Sequence, residues 1–600
     1  MILATDCGST TSKARFFKKI GDQYRFVASG EAPTTVEAPY EDVRMGVRNA
    51  IREVEELTGQ KILAEAGIIS PREGSRGVDL YVTTSSAGGG LQMMVAGVIK
   101  SMTAESAERA ALGAGAIVMD TIAIDDGRLL YEKIDSMRAL RPDMILIAGG
   151  TDGGTITHVA RTVEMVASAE PKPRLGLGYE LPIVYAGNKD ARDYVTKLLG
   201  TKFALKLVDN IRPDLETERT EPARDAIHEL FMEHVMSHAP GYDRLMKWTS
   251  VPIMPTPSAE GKMIRTIAET FNANVIGVGL GGATTNVYSV FDGKFVRTVS
   301  ANLGMSYSIC NVLKEAGFEN IIRWLPFEIE ASDVRNRLRN KMIRPTTIPQ
   351  TLRDMVIEHA VAREALRMGF KHHKLLARPL RGAKTRKDIG DMLARGGGFG
   401  ETYIDMLRVD WIVGTGGLLS HAPRRAQSAL ILIDAFQPEG VTRLAVDSVF
   451  MMPHLGVLST VHPKAAVEIF EKDCLIRLGT CIAPKGDITA HSGPIMSLKL
   501  EMPDGTTMAK EVATGTIQRI PLQEHESAKI EIHPAKGFDL GAGAGHFLNT
   551  LVQGGVVGII LDARGRPLSL PSNNERRAKL VEWSRALNSY PPSIFEVTAS

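Results

Sequence analysis

The sequence contains few cysteines, no long apolar run and no leader-like N-terminus. Its 600 residues include 4 cysteines, none of them in a CxxC pair, which excludes a disulfide framework and indicates a reducing compartment. No apolar run approaches the ~18 residues of a membrane span, and no basic segment precedes an apolar stretch near the N-terminus. We therefore expect a cytoplasmic protein without a membrane partner.

Net charge and aromatic side chains are also scarce. The 71 basic and 69 acidic residues leave a formal charge of +2, and 6% of the chain is aromatic. A basic surface with aromatic rings for base stacking is therefore not expected, and neither is a nucleic-acid partner. Hydrophobic residues make up 44% of the chain, which is enough for several folded cores.

Several common site motifs are missing. No GxxxxGK[ST] segment occurs, so a nucleotide would not be held by a P-loop, and neither HExxH nor a Cys/His cluster with metal-ligand spacing is present. The glycines at 277–282 fit G-x-G-x-x-G, but a β-branched segment follows them where a dinucleotide-binding turn needs a helix. We interpret His372, His373 and His421 as surface or helix-cap residues rather than metal ligands.

The N-terminus carries the first positive signal, in the segment MILATDCGSTTSKARFF. Residues 2–5 and 14–17 are predicted to form antiparallel strands joined by a polar loop. Small residues in such a loop let backbone N–H groups approach a phosphate, Lys13 adds a donor, and Asp6 can hold a magnesium ion through water. An ordinary hairpin turn is the alternative interpretation.

An internal echo of this segment lies at 275–301. It again gives a buried strand, a Gly/Thr loop, a second strand, a turn and a third strand. Two copies of one unit predict two similar domains that offer their loops to a shared cleft. The alignment pairs Gly8 with Gly281, Thr11 with Thr284, and Asp6 with Gly279.

Strands that end in glycines occur at 2–11, 145–155, 275–285 and 411–417. Each one alone is explained by a turn that leaves a core strand. Because open α/β sheets bind ligands where such strand ends expose backbone N–H groups, the four together favour one nucleotide cleft.

The intervening chain alternates strands and helices, which predicts an open α/β sheet with additions. The alanine-rich stretch 103–122 is predicted as one long helix. Beyond about 476, short strands and many glycines predict a separate β-rich module.

Three short motifs and several longer segments resemble a known family. The segments DCGST at 6–10, GGATT at 281–285 and GTGG at 414–417 look like the phosphate-1, phosphate-2 and adenosine motifs of the actin, sugar-kinase and heat-shock-chaperone superfamily. Over residues 1 to about 460 the chain resembles, more closely, the glutamate mutase accessory proteins, the MutL type that is unrelated to mismatch repair. The segments that carry this closer resemblance are EAPTTVEAPYEDV, TTSSAGGGLQMMVAGV, GGTDGG, YAGNKDAR, PIMPTPSA, GMSYSICNV and NKMIRPTTIPQT.

The resemblance implies an α/β fold with two ribonuclease-H-like ATPase lobes and a nucleotide cleft between them, plus the β-rich C-terminal module. We assign residues 1–262 to the first lobe with inserted α/β units, 263–475 to the second lobe and 476–600 to the terminal module. The implied cofactors are ATP and Mg²⁺. The implied role is that of a chaperone or reactivator, whose partners are the subunits of an adenosylcobalamin-dependent mutase.

Site residues follow from the same resemblance. Asp6 is the predicted metal-binding and catalytic carboxylate, and Asp152 of the GGTDGG loop is a second catalytic candidate. The predicted nucleotide-binding residues are Ser9, Thr10, Thr11 and Lys13 in the first loop, Gly281, Gly282, Thr284 and Thr285 in the second, and Gly414, Gly416 and Gly417 around adenosine.

The second phosphate loop departs from the family pattern at two positions. The family carries aspartates where this chain has Gly279 and Asn286. In the superfamily these carboxylates help to place magnesium and the attacking water, so their loss predicts very slow hydrolysis and retained ATP binding, and restoring both is expected to raise the rate. A small-molecule kinase is the alternative function, and a binding-only scaffold that never uses nucleotide is a third.

Overall fold

The computed structural model describes residues 1–8, 10–36, 39–86, 91–174, 179–235, 240–379, 402–489 and 491–595. In this part of the chain the strands are β1 (Ile2–Cys7), β2 (Thr11–Ile20), β3 (Gln23–Pro33), β4 (Leu80–Ser85), β5 (Gln92–Gly97), β6 (Ile117–Ala123), β7 (Met144–Ile147), β8 (Pro182–Tyr185), β9 (Ala204–Leu207), β10 (Met254–Pro255), β11 (Val275–Leu280), β12 (Thr284–Phe291), β13 (Lys294–Ala301), β14 (Trp411–Thr415), β15 (Gly440–Asp447), β16 (Leu475–Ala483), β17 (Pro494–Glu501), β18 (Thr507–Ala513), β19 (Ile517–Ile520), β20 (Ser527–Pro534), β21 (Leu548–Gln553) and β22 (Gly558–Asp562). The α-helices are α1 (Val43–Thr58), α2 (Glu105–Gly113), α3 (Leu130–Leu140), α4 (Thr157–Ala169), α5 (Arg192–Leu199), α6 (Glu221–Leu230), α7 (Tyr242–Leu245), α8 (Thr256–Phe271), α9 (Ile309–Ala316), α10 (Phe318–Ile322), α11 (Ala331–Ile343), α12 (Leu352–Leu376), α13 (Gly417–Ser420), α14 (Arg425–Phe436), α15 (Met452–Ser459), α16 (Pro463–Ile469) and α17 (Asn573–Leu587).

The N-terminal strands form a mixed sheet in the order β10-β4-β1-β2-β3. β1 pairs with β2 and β2 with β3 in antiparallel fashion, whereas β1, β4 and β10 run parallel. Helix α1 covers this sheet with an apolar face that includes Val47, Ile51 and Val54. The helix begins where the Asp42 carboxylate accepts a hydrogen bond from Arg44 N, and it ends at Gly59 in the left-handed conformation.

A second sheet repeats this arrangement as β13-β12-β11-β14-β15, with the same strand directions. The two hairpin loops close alike: Gly8 N donates to Thr11 O at 3.1 Å, and Gly281 N donates to Thr284 O at 2.9 Å. These are the residue pairs that the sequence echo aligns. The predicted α/β fold with two ribonuclease-H-like lobes is therefore confirmed.

The chain between β4 and β10 forms a separate parallel sheet in the order β6-β5-β7-β8-β9. The predicted open α/β addition is thus present, but the prediction of one helix over 103–122 is wrong. Helix α2 ends at Gly113, Gly115 adopts a φ of +104°, and β6 begins at Ile117. Positive φ at Gly115 reverses the chain so that β6 can pair with β5.

The C-terminal region is rich in β-strands, as predicted. The strands β18-β17-β20-β21 form a sheet of their own, but β16, β22 and β19 extend the second lobe's sheet beyond β15. Residues 475 and 476 both lie in β16, and residues 262 and 263 both lie in α8. The division at these two points stays a proposal.

Helices α8 and α15 cross between the two lobes. A buried apolar cluster joins residues of β1, such as Ile2 and Ala4, to Val275 of β11 and to both helices. At the crossing, a Cβ on Gly456 would overlap the carbonyl oxygen of Ala259 and lie 3.0 Å from its Cα. The two helix backbones therefore touch, and the lobes share one core there. Among the described helices, none combines the length and the apolar character needed to cross a bilayer.

Candidate functional site

A cavity lies between the lobes, where the central strands of both sheets end. Its walls come from the end of β4, the β10–α8 junction, the second glycine loop, the segment after β15 and the inserted units between β4 and β10, which contribute Leu91, Gly115, Ile117 and Phe231. The residues that line the cavity include Ser85, Thr256, Glu260, the segment 279–284, Asn286 and Phe450.

Asp6 lies at the end of β1 and is 1% exposed. β1 continues two residues beyond the predicted strand, so Asp6 belongs to the sheet and not to the polar loop. Its Oδ1 accepts hydrogen bonds from the Thr84 hydroxyl at 2.8 Å and from the Thr256 hydroxyl at 2.6 Å. Because Thr256 lines the cavity, the Asp6 carboxylate is held directly behind its wall.

Lys13 pairs with Asp6 across β1 and β2. Its Nζ lies 3.9 Å from the ring centroid of Phe450, which lines the cavity. Burial lowers the pKa of Lys13 below its usual value, while the Asp6 carboxylate acts in the opposite direction. Phe450 has a φ of +55°, a strained conformation for a bulky residue that is typical of ligand clamps.

The first loop is tightly closed. A Cβ on Gly8 would lie 2.6 Å from Thr11 O, and the Thr10 carbonyl accepts from Thr34 N at 2.9 Å. These contacts involve the backbone of Thr10 and Thr11. Ser9 lies outside the described residues, so its predicted role stays a prediction.

The second loop is closed by a neighbouring turn. The carbonyls of Gly281 and Gly282 accept from Met305 N and Ser306 N, each at 2.9 Å. Gly281, Gly282 and Thr284 line the cavity. The hydroxyl of Thr285 donates instead to the Leu303 carbonyl in the buried interior, which gives it a structural partner.

The third glycine segment follows β14 beside the end of β11. A Cβ on Gly416, whose φ is +103°, would overlap Leu280 O, so glycine is required where this turn touches the second loop. A Cβ on Gly417 would meet no atom within 4 Å. Gly414 lies inside β14 opposite Val278. The segment thus brings open space at Gly417 next to the second phosphate loop.

The two positions that depart from the family pattern face each other. Gly279 and Asn286 are partners across β11 and β12. The Oδ1 atom of Asn286 is buried without a hydrogen-bond partner, although the residue lines the cavity. A Cβ on Gly279 would overlap Oε2 of Glu260 and lie 3.1 Å from its Cδ. A carboxylate that the sequence reasoning did not identify therefore fills the space beside Gly279.

Glu260 lies on α8 and is 3% exposed. Burial raises its pKa to about 7, against the lowering effect of its hydrogen bond with Tyr288. The sequence does carry a signal for this residue: an acid stands in the apolar stripe of a helix, between Ala259 and Met263, where charged residues are rarely buried unless they are partnered.

A family model described as MutL protein matches residues 2–474. The chain belongs to the MutL protein family. A curated relative, Protein MutL of Clostridium tetanomorphum, is 28% identical over 502 residues, which cover 78% of this chain and 98% of that protein. The family expected from the sequence is confirmed.

Solved structures with more distant similarity include an acetone carboxylase and a kinase. Nucleotide-free acetone carboxylase is 10% identical, with 99% of this chain and 86% of that chain covered and a TM-score of 0.30. Ligand-bound xylulose kinase of Lactobacillus acidophilus is 11% identical, with 80% and 93% covered and a TM-score of 0.29. The fold assignment for this MutL family member rests on its own sheet topology.

Asp152 of this MutL family member lies in a hydrogen-bonded loop of the inserted sheet. It follows β7 in the inserted sheet, where its Oδ1 accepts from Lys189 N at 3.1 Å and from Asn210 Nδ2 at 2.9 Å. Its own N–H donates to Pro213 O at 2.9 Å. These partners belong to the inserted sheet's loops, and a catalytic role for Asp152 stays a prediction.

The histidine interpretation is wrong for one residue. His373 is fully buried on α12, with its ring nitrogens 2.8 Å from the hydroxyls of Thr298 and Ser289, and burial lowers its pKa to about 3. It is a core residue that ties the helix to β12 and β13. His421 is exposed at the C-terminal cap of α13, as expected.

Two observations fit the nucleotide that the family resemblance implies. Gly281 and Gly282 of the second loop line the cavity without a Cβ, and Asn286 Oδ1 is a buried acceptor without a hydrogen-bond partner. No group of three or more His, Cys, Asp or Glu side chains in the described ranges is placed to hold a metal ion. The magnesium role of Asp6 stays a prediction, and its carboxylate is held by the hydroxyls of Thr84 and Thr256.

Proposed function

We propose that this MutL family member is an ATP-binding accessory protein that reactivates an adenosylcobalamin-dependent mutase. The observation that carries the proposal is a cavity lined by the second glycine loop, with Asp6 and Lys13 of the first lobe in contact with its wall residues Thr256 and Phe450. Membership of the MutL family and the resemblance to glutamate mutase accessory proteins support the partner.

The nucleotide would be held mainly by backbone groups. The loops around Gly8 and Gly281 present N–H groups to the phosphates, Lys13 supplies a positive charge, and the open space at Gly417 receives the adenosine. Asp6 holds the water shell of the magnesium ion, and the hydroxyls of Thr84 and Thr256 orient its carboxylate.

Remodelling of the mutase would follow from lobe closure. Helices α8 and α15 touch at their backbones, so a change in their crossing moves both sheets. Contacts from both loops to the terminal phosphate favour the closed arrangement, and their loss favours the open one. The partner that responds to lobe closure is the mutase subunit with a damaged or empty cobalamin site.

Hydrolysis is expected to be slow. Neither position 279 nor position 286 carries a carboxylate, and loss of one well-placed catalytic group typically costs about 10²–10³-fold in rate. Slow hydrolysis suits a device that stays closed long enough to act on a partner protein.

Calorimetric titration with ATP, with and without Mg²⁺, tests the nucleotide site. Asp6→Asn keeps an oxygen acceptor for both threonine hydroxyls and removes the charge, so it should weaken the magnesium dependence of ATP binding without unfolding the chain. Asp22→Asn, an exposed acid in the following turn, is the control. Unchanged magnesium dependence in Asp6→Asn would remove Asp6 from the site.

A second experiment tests the role. The natural mutase, identified by pull-down and loaded with hydroxocobalamin, is incubated with the protein, and release of the cobalamin is followed with and without ATP·Mg²⁺. ATP-dependent release supports the proposal, and release independent of ATP contradicts it. Phosphoryl transfer to a sugar or short acid from a substrate panel would establish the kinase instead.

A further inference from the structure

The carboxylate of Glu260 occupies the space into which a side chain at position 279 would extend. A Cβ on Gly279 would overlap Oε2 and lie 3.2 Å from Oε1 of Glu260. We propose that Glu260 supplies, from helix α8, the carboxylate that the second phosphate loop lacks, and that it accepts the proton of the water that attacks the terminal phosphate of ATP. This inference rests on the proposed nucleotide-binding function and explains how slow hydrolysis proceeds.

The position of Glu260 fits this role. Its side chain is buried but lines the same cavity as Gly281, Gly282 and Thr284. Asn286 and Tyr288 are two residues apart on β12 and therefore lie on the same face of the sheet. Asn286 is opposite Gly279, and the Tyr288 hydroxyl lies 2.7 Å from Glu260 Oε2. The carboxylate is thus fixed beside the second phosphate loop by the strand that follows it.

The hydrogen bonds around Tyr288 let Glu260 exist with and without a proton. The Tyr288 hydroxyl lies 2.9 Å from the Pro257 carbonyl oxygen and 2.7 Å from Glu260 Oε2. A hydroxyl has one proton and a carbonyl only accepts, so both contacts are satisfied at once when Glu260 is protonated. When Glu260 is ionised, the hydroxyl turns its proton to the carboxylate.

Charged groups from neighbouring strands act on Glu260 in both directions. Asp6 on β1 and Asp447 on β15 favour the protonated form, and Arg297 on β13 favours the ionised form. With burial, the balance brings the pKa of Glu260 to about 7, which suits a group that takes up a proton and returns it near neutral pH.

The proposed step balances as a simple hydrolysis. The water oxygen forms a bond to the terminal phosphorus, and one of its protons moves to the Glu260 carboxylate. The bond between that phosphorus and the bridging oxygen breaks, and its electron pair leaves with ADP. Glu260 then returns the proton to solvent, and the Tyr288 hydroxyl turns back to the carboxylate.

Single-turnover ATP hydrolysis and ATP binding by Glu260→Gln test the proposal. Glutamine keeps the shape and cannot take up the proton, so the rate should fall by about 10²-fold or more while ATP binding is retained. Glu269→Gln, an exposed acid on the same helix, should match the wild type in both measurements. Equal rates for Glu260→Gln and wild type overturn the inference.

Two outcomes separate this inference from the proposed function. If the wild type fails to bind ATP, the proposed function fails. If the wild type binds ATP and hydrolyses none, the nucleotide site stands and the role of Glu260 is overturned.

Relocation of the carboxylate gives a second test. Gly279→Asp requires the Glu260 carboxylate to move aside, so the expected rate increase from aspartates at 279 and 286 stays a prediction that depends on Glu260. Glu260→Ala opens the space, and Gly279→Asp combined with Glu260→Ala should hydrolyse ATP faster than Glu260→Ala alone. A double variant that binds ATP without a faster rate contradicts the spatial equivalence of the two carboxylates.

Discussion

Glu260 is a buried acid whose ionisation opposes folding. Its pKa is raised from the usual 4.5 to about 7, so the folded chain holds this proton more tightly than the unfolded chain. The bound proton therefore stabilises the folded chain. This stabilisation is complete below pH 4.5 and is lost as pH rises through 7. Glu260→Gln removes this loss.

We therefore expect Glu260→Gln to gain stability relative to wild type between pH 5 and pH 8. The full shift of the pKa corresponds to about 3 kcal/mol, which is an upper value. Urea denaturation of both proteins at the two pH values measures the difference, and Glu269→Gln should follow wild type. Parallel stability curves for Glu260→Gln and wild type would show that residue 260 does not titrate in this interval.

At the residue scale, the matching geometry of the two glycine loops was predictable from local sequence. Gly8, Thr11, Gly281 and Thr284 could be aligned because each loop is closed by its own backbone hydrogen bond. The position of Glu260 beside Gly279 could not be predicted, because it arises from packing between a helix and a strand. Sequence distance hides such a contact.

At the scale of elements, the crossing of α8 and α15 depends on one missing side chain. A methyl group at Gly456 would overlap the Ala259 carbonyl, and backbone atoms of a helix cannot move aside as a flexible side chain can. The two helices would have to separate, together with the lobes they join.

Gly456→Ala should therefore destabilise the fold by about 1–3 kcal/mol, which is typical of overpacking, although alanine favours a helix more than glycine does. Chemical denaturation without nucleotide measures the change. Gly417→Ala is the matched control, since its Cβ would meet no atom within 4 Å. A more stable Gly456→Ala variant would show that the helix crossing accommodates a methyl group at this position.

Helix and strand assignment failed where one composition suits both. The stretch 103–122 is rich in alanine and apolar residues, and the prediction of one helix passed over Gly113 and Gly115, which mark the end of α2. The structural break comes from Gly115 and from pairing of β6 with β5, a contact between distant segments. Tertiary pairing overrode local propensity there.

At the scale of the whole molecule, the duplication made the fold predictable. A sequence echo implies two like units, and the observed sheets repeat one strand order. Two features lay beyond sequence reasoning: the placement of Asp152 on the inserted sheet and the continuation of the second sheet by β16, β22 and β19. Both depend on how strands that are distant in sequence pair with one another.

A ligand held between two lobes should stabilise the whole chain. ATP·Mg²⁺ at 100 times its dissociation constant is expected to add about 2.7 kcal/mol by mass action, so the unfolding midpoint should rise with ATP concentration. Tripolyphosphate with Mg²⁺ lacks the adenosine contacts and should give a smaller rise at equal concentration. An unfolding midpoint that neither compound changes favours a binding-only scaffold that never uses nucleotide.

The extension of the second sheet has a consequence for shortened chains. The family match ends at residue 474, and β16, which begins at Leu475, covers the outer edge of β15. A chain cut at that point would present the open hydrogen-bonding edge of a long strand, which recruits any strand that it meets, including the same strand of another copy. By covering the edge of β15, β16 thus prevents that edge from pairing with another copy of the chain. Light scattering of the shortened chain should therefore report growing oligomers where the full chain stays disperse.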